Sequence, residues 1–469
     1  MFQLTRIAAI AMISVVPFAM ANTSSLSVDQ NSVVNPKGAV MAESLNNKDQ
    51  QYTDGAYEVA PGVWSVTGLG MDNVNVIETE NGIVVFDGGM TRDYARKAMS
   101  LLPERVAEQP VVGLIYTHWH YIIGAGEWNV TDDTMVVAHK NHNSELHAAV
   151  DTESPLSSVR QVRASIQLGA FLPKEGADAP SVTGQADVTV DDISKYVAPN
   201  KLVGDGETSI IIDGVEFVTH AGHTDTLDGI SIYVPSKKVS VDNTYWAHGL
   251  FNFSTLRGDR WRDIDLLEQA AQWLLDQDIE HSLKVHGKPV TGKIFKAQLS
   301  DQMGTIKALV EETEKAIGQG MAPDEIQYQV KLPKELAESP HLEENYGEFS
   351  YHTRRYYNHV MHWFGNDSIE LHPLPRNDEA NKMIEAMGGM DTVVKRAEKA
   401  GKKGEYQWSA QLATYAIRAG SIEARQVKAN ALRSMAQKAT ASNTRNWMLT
   451  HALVLEGKLE LPIVLTGDY

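Results

Sequence analysis

Four times between Val111 and His286, a short run of β-forming residues stops at a histidine or an aspartate. Val111-Val112-Gly113-Leu114-Ile115-Tyr116-Thr117 leads into His118-Trp119-His120, and Val215-Glu216-Phe217-Val218-Thr219 leads through His220-Ala221-Gly222 to His223. Lys238-Val239-Ser240-Val241 leads into Asp242, and His281-Ser282-Leu283-Lys284-Val285 into His286. A fold that aligns these strand ends on one sheet edge brings the polar side chains together. Alternate residues of an extended chain point the same way, so His118 and His120 are expected to face one ion. Neutral imidazole and carboxylate are zinc donors, and small neighbours such as Gly222 let the backbone turn toward the ion. Each residue alone is an ordinary turn or cap residue. Their recurrence makes His118, His120, His223, Asp242 and His286 candidate zinc ligands.

The rest of the chain divides by periodicity. Val74 to Glu78 and Ile83 to Phe86 flank Asn81-Gly82, a hairpin signal because both turn residues tolerate positive φ. A second hairpin is expected at Ser209 to Ile212 and Val215 to Thr219, turning at Asp213-Gly214. Thr91 to Leu102 reads as a helix capped by Thr91 and stopped by Pro103. Hairpins mixed with helices suit an αββα sandwich, two sheets face to face with helices outside. After about Gly304 strand signals nearly vanish. Helices are expected over Ile306 to Ile317, Ala380 to Ala400, Tyr406 to Ala419, Ile422 to Ala439 and Asn443 to Leu455. The last three suit either a tetratricopeptide-like array or a plain helical bundle.

Composition excludes several classes. Arg6, the apolar stretch Ile7 to Phe18 and Ala19-Met20-Ala21 have the layout of a cleaved signal peptide over residues 1–21. The stretch is too short to span a bilayer, and no other segment qualifies, so no stable membrane anchor is expected. The formal charge is −18, from 42 basic and 60 acidic residues, which disfavours nucleic acid and anionic membranes as partners. There is no cysteine, so neither disulfides nor thiolate ligands are available. An export signal without disulfides fits a periplasmic or secreted protein. Residues 22–50, rich in Ser, Asn, Asp and Lys, read as a loosely ordered leader.

The ligand pattern resembles the metallo-β-lactamase superfamily. The flanking segments resemble its alkylsulfatase branch: Thr255-Leu256-Arg257-Gly258 with Arg262-Asp263, Tyr346-Gly347, Tyr356-Tyr357, Trp363-Phe364-Gly365, Leu371-His372-Pro373-Leu374-Pro375 and Glu385-Ala386-Met387-Gly388-Gly389. The resemblance runs from about Ala56 to about Gly457. It implies a metallo-β-lactamase αββα sandwich over 51–315, a linker over 316–344, and an all-α domain of dimerisation type over 345–469. Where the family writes Asp-His after H-x-H-x, this chain has Ile122-Ile123, which removes two ligands of a second zinc. One tight zinc is therefore expected, with Glu127, Asp225 and Asp228 as neighbours able to supplement the second site. Alkylsulfatases usually carry glutamate at the His223 position. They also carry a sterol-carrier-like domain beyond the helices, for which this chain leaves no room.

The function implied is hydrolysis of sulfate esters by zinc-bound hydroxide. Arg257 falls at the family's sulfate-contacting arginine, and its planar fork suits an oxyanion. His248, six residues past Asp242, is the candidate general acid. A homodimer is expected, with Tyr356, Tyr357, His362, Trp363 and Phe364 as interface aromatics. Two other readings remain open: a non-catalytic homologue serving as a binding or scaffold protein, and a hydrolase of a phosphoester, lactone or β-lactam.

Overall fold

The computed structural model describes residues 28–50, 52–150, 154–181, 196–222, 225–243, 249–258, 260–463 and 465. A hairpin of β1 (Ser32–Val34) and β2 (Val40–Ala42) opens the described chain, followed by a helix at Glu43–Asp49. The expectation of a loose leader fails here, because Met41, Ala42 and Leu45 are buried in a small apolar cluster with Ala39 and Ala179. Polar composition misled: the segment is held partly by backbone bonds. Asp29 N–H donates to the Lys438 carbonyl at 2.9 Å, and Arg445 Nη2 donates to the Val40 carbonyl at 3.0 Å.

A seven-stranded sheet follows in chain order: β3 (Gly55–Ala60), β4 (Val63–Thr67), β5 (Val74–Glu78), β6 (Ile83–Phe86), β7 (Val111–Ile115), β8 (Val130–His139) and β9 (Lys201–Val203). Pairing is antiparallel from β3 to β6 and parallel from β6 to β9. The second sheet has six strands: β10 (Thr208–Ile212), β11 (Val215–Ala221), β12 (Ile230–Val234), β13 (Val239–Val241), β14 (His281–Ser282) and β15 (Val290–Thr291). Only the β13–β14 pair is parallel.

The period-two alternation of strands decides which residues face which layer. In β6, Val84 and Phe86 point between the sheets, where they meet Ile115, Ile212, Phe217, Ile232 and Val241. The Phe86 and Phe217 ring centroids are 6.2 Å apart. Ile83 and Val85 point the other way, onto Ala95 and Ala98 of the helix Arg92–Leu101. Each such fully buried apolar side chain contributes roughly 1.5–3 kcal/mol relative to exposure. Outside the second sheet, Tyr233 packs against Ala271 and Leu274 of helix Ile264–Asp276 and Phe295 and Leu299 of helix Gly292–Gly318. The expected αββα sandwich is present.

Both hairpins form, by different turns. Asp213 and Gly214 take φ of 45° and 77°, the two-residue turn with both positions left-handed. Between β5 and β6 the connection is four residues long, since Glu78 pairs with Ile83, and neither Asn81 nor Gly82 has positive φ. Gly82 is needed for another reason: a Cβ there would lie 2.3 Å from the Pro110 carbonyl oxygen. Thr91 caps its helix as expected, accepting from Tyr94 N–H at 3.1 Å.

Beyond Thr291 the described residues contain no strand. The helix expected from Ile306 in fact starts at Gly292, because Phe295, Leu299, Ile306 and Leu309 form one continuous buried stripe. The expected helix Ala380 to Ala400 is two, Arg376–Ala386 and Met390–Lys402, separated by Gly388 and Gly389 at φ of 93° and 92°. Helices Tyr406–Arg418, Glu423–Ala436 and Ser442–Leu455 follow, sharing one apolar core with the pair before them. Tyr356 and Tyr357 are not interface residues, as expected from their clustering, but are buried with Leu250, Phe251 and Phe253. Their hydroxyls donate to Glu314 and to the Phe364 carbonyl. Among the described residues no helix is long and apolar enough to cross a membrane.

Candidate metal centre

Strand β7 ends at Ile115, and His118 and His120 lie beyond it rather than along it. His118 is extended, and Trp119–Tyr121 forms a 3₁₀ turn, so the two imidazoles meet by a bend and not by strand alternation. Their ring centroids are 4.7 Å apart, nearly perpendicular. The donor atoms of His118, His120 and Asp225 all lie within 4.8 Å of one another. Asp225 Oδ2 stands 3.2 Å from His120 Nδ1, and its Oδ1 accepts from Asn243 Nδ2 at 3.0 Å. The same Asn243 amide is 3.2 Å from His118 Nε2, so it links the imidazole to the carboxylate.

The support beneath His118 is a buried anchor. Thr117 donates to Asp87 through its N–H, 2.6 Å, and its hydroxyl, 2.8 Å from Oδ2, while Thr117 Oγ1 lies 3.0 Å from His118 Nδ1. Asp87 follows β6 with φ of 65°. It is another apolar run ending in aspartate, so the signal that marked the candidate ligands also marks this residue. Thr117 and Asn243 carry no comparable sequence signal.

Electrostatics fit metal binding. Burial, aided by His120 and opposed by the Asp225 charge, holds the His118 imidazole down to about 3, so it is neutral with a lone pair to give. Asp225 is pushed up by burial but pulled further down by His118 and His120, ending well below the usual carboxylate range. Two imidazole nitrogens and an ionised carboxylate are a donor set that suits a divalent ion.

The other expected site residues separate. His223 and His248 lie outside the described residues, as does the signal segment 1–21. Asp242 follows β13 and its Oδ2 lies 3.3 Å from the Ser282 hydroxyl, outside the group of three. The buried Lys284 ammonium also feels this carboxylate, which partly offsets its depression to about 8 by burial. His286 is near but distinct: its Nδ1 lies 2.8 Å from the Met71 carbonyl, and its ring meets Tyr121 edge-on at 5.5 Å. Burial holds it down to about 4. Tyr121 also packs edge-on against His118 at 4.9 Å. Burial raises its phenol well above the usual range, reinforced by Asp225 and opposed by Arg257. Arg257 therefore stands where its charge acts on this group.

Of the three acids able to supplement a second site, only Asp225 reaches the centre. Glu127 is bound by Arg92 and by Arg96 at 2.7 Å, and Asp228 is buried against His142 Nδ1 at 2.9 Å. Ile122 is fully buried in the core beside Ala95 and Trp128, so its position belongs to packing rather than to coordination.

Residues 67–240 match the metallo-beta-lactamase superfamily, and residues 322–458 match the alkyl sulfatase dimerisation family. A linear primary-alkylsulfatase of a Pseudomonas species is 29% identical over 400 residues, covering 83% of this chain and 75% of that protein. An (R)-specific secondary-alkylsulfatase of Pseudomonas is 29% identical over 445 residues, covering 88% of this chain and 66% of the relative. The solved structure of a stereoselective inverting sec-alkylsulfatase from Pseudomonas superposes with a TM-score of 0.81 at 24% identity. It covers 95% of this chain and 76% of that one, a likeness of fold. The chain thus joins a domain of the metallo-β-lactamase superfamily to an alkyl sulfatase dimerisation domain.

Proposed function

We propose that the protein is a zinc-dependent hydrolase of alkyl or aryl sulfate esters that holds one metal ion tightly. The observation that carries this reading is the convergence of His118, His120 and Asp225 donor atoms within 4.8 Å. The likeness to proteins named as linear primary- and (R)-specific secondary-alkylsulfatases supports the substrate class. His223, Asp242 and His286 remain proposed ligands, and His248 a proposed general acid.

When bound, zinc lowers the pKa of a water to about 7 and so supplies hydroxide near neutral pH. The chain's own residues do the rest. Asp87 and Thr117 fix the His118 ring, and Asn243 holds Asp225 beside it. Arg257 supplies a planar cation for sulfate oxygens. The Tyr121 phenol, kept protonated by burial, is available as a hydrogen-bond donor beside Asp225 and Arg257. We further propose a homodimer built through the dimerisation domain, exported to the periplasm or outside by residues 1–21.

Purified protein should contain near one zinc equivalent after dialysis and cleave a sulfate ester, losing activity on chelation and regaining it with zinc. The rival is a binding protein of the same fold, favoured by Ile122 serving the core. Zinc at full occupancy without turnover on alkyl sulfates, phosphoesters, lactones or β-lactams would establish that rival.

A further inference from the structure

Helix Pro155–Gln167 ends against the segment that carries Arg257. Arg163 and Gln167 are four residues apart, so they share one helix face. Arg163 Nε donates to the Arg257 carbonyl at 2.8 Å and its Nη2 to the Leu256 carbonyl. Gln167 is fully buried, and its Oε1 accepts two bonds, from the Thr255 hydroxyl and the Arg257 N–H, each 2.8 Å. Its Nε2 donates to the Tyr346 hydroxyl at 3.2 Å.

The same two residues are gripped by the dimerisation domain. Asn446 Nδ2 donates to the Gln167 carbonyl at 2.9 Å, and the Trp447 ring centroid lies 5.4 Å from the Arg163 guanidinium. Both belong to helix Ser442–Leu455, whose first N–H groups, from Ser442 and Asn443, donate to the carbonyls of Asn345 and Tyr346 at 3.0 and 3.2 Å. Arg163 and Gln167 therefore each touch both a residue of the dimerisation helix and the Arg257 segment.

We propose that Arg163 and Gln167 are positioning residues through which helix Pro155–Gln167 transmits the seating of helix Ser442–Leu455 to Arg257. Anion binding at Arg257 then depends on a domain that carries no part of the metal centre. Removing the Gln167 amide strands a buried hydroxyl and a backbone N–H, which frees the segment rather than unfolding the sandwich. The kinetic arm of the test rests on the sulfate ester reading; the exchange arm does not.

Gln167→Met keeps the volume and loses every side-chain bond. Gln167→Glu keeps an oxygen to accept both bonds, and the Tyr346 hydroxyl can rotate to donate to its second oxygen. With octyl sulfate as substrate, Gln167→Met should raise KM, and the inhibition constant of inorganic sulfate, about tenfold at nearly unchanged kcat and metal content. Gln167→Glu should recover most of that loss. Asn446→Ala should speed amide exchange over residues 255–258 about tenfold, read by mass spectrometry. Wild-type KM and sulfate inhibition in Gln167→Met, or no recovery in Gln167→Glu, would overturn the positioning role. Unchanged exchange in Asn446→Ala would overturn the transmission. That last measurement decides the linkage even in a protein that hydrolyses no sulfate ester, an outcome that would end the substrate reading alone.

Discussion

Thr117 is bound to Asp87 twice over, by its N–H at 2.6 Å and by its hydroxyl at 2.8 and 3.0 Å from the two carboxylate oxygens. The bond network spends a buried acid to aim an imidazole. That acid has a second buried neighbour, Asp72, whose charge raises Asp87 further.

Burial pushes Asp87 up to about 8 and Asp72 up to about 7. An unfolded aspartate titrates near 3.9, roughly, so between these values the folded chain holds protons that the unfolded chain has released. Their stabilising share is whole below about pH 4 and is lost as pH rises through about 7 and about 8. Metal-stripped protein should therefore show a urea midpoint that falls from weakly acidic to weakly alkaline pH. Asp87→Asn should flatten the upper part of that fall; a midpoint that climbs over the range would mean both acids are ionised throughout.

Metal content should follow the group of three. His118→Ala and Asp225→Ala should each leave the protein with well under one zinc equivalent after dialysis, while Glu127→Ala leaves it unchanged, since Glu127 is occupied by Arg92 and Arg96. Elemental analysis checks this. Zinc retained in full by Asp225→Ala would return the carboxylate role to Asp242.

Rebuilding the family motif at Ile122 should be costly. Ile122→Asp puts a carboxylate into the cluster of Ala95, Ala98, Tyr116 and Trp128, where it lowers stability by about 3 kcal/mol without a partner. Urea denaturation of the double variant Ile122→Asp with Ile123→His should show recovery on adding zinc only if a second ion reaches that carboxylate. Equal stability with and without excess zinc would refute a latent second site.

A substitution at Arg257 leaves the bonds that Arg163 and Gln167 make to its carbonyl and N–H in place. Arg257→Met should weaken sulfate ester binding by about 2 kcal/mol, roughly thirtyfold in kcat/KM. A variant with wild-type kcat/KM would move the oxyanion contact elsewhere.

The dimer contact is expected where apolar side chains face solvent in the single chain. Val360, Met361, Trp363, Ile369, Leu371 and Leu374 form such a stretch, with Trp363 63% exposed. Trp363→Asp with Leu371→Asp should give a monomer by light scattering at micromolar concentration, with the helical content retained. A dimer that survives both charges would place the contact on another face.

What was legible in the sequence was whatever local chemistry dictates. The strand ends, the Thr91 cap and the Asp213-Gly214 turn follow from neighbouring residues alone, and the structure has them. His118 and His120 come together through a 3₁₀ turn and not through strand alternation, which the residues between them do not announce. Asp225 entered only as a neighbour, because its role depends on Asn243 and on a loop no periodicity describes. The order of segment 28–50 is not legible from its own residues, because Lys438 and Arg445, which hold it, lie hundreds of residues away.

That last feature sets an order of assembly. Val40 and Arg445 are separated by 405 positions, and Val28 forms an isolated bridge to Ala439. Contacts so distant along a chain close late, after their loop entropy has been met by everything between them. The bonds that the Val40 carbonyl and the Asp29 N–H make to Arg445 and Lys438 must wait until the last helices are in place. An arrest in making or folding the last helices would thus leave the hairpin Ser32–Ala42 without its distant anchors, at the opposite end of the described chain.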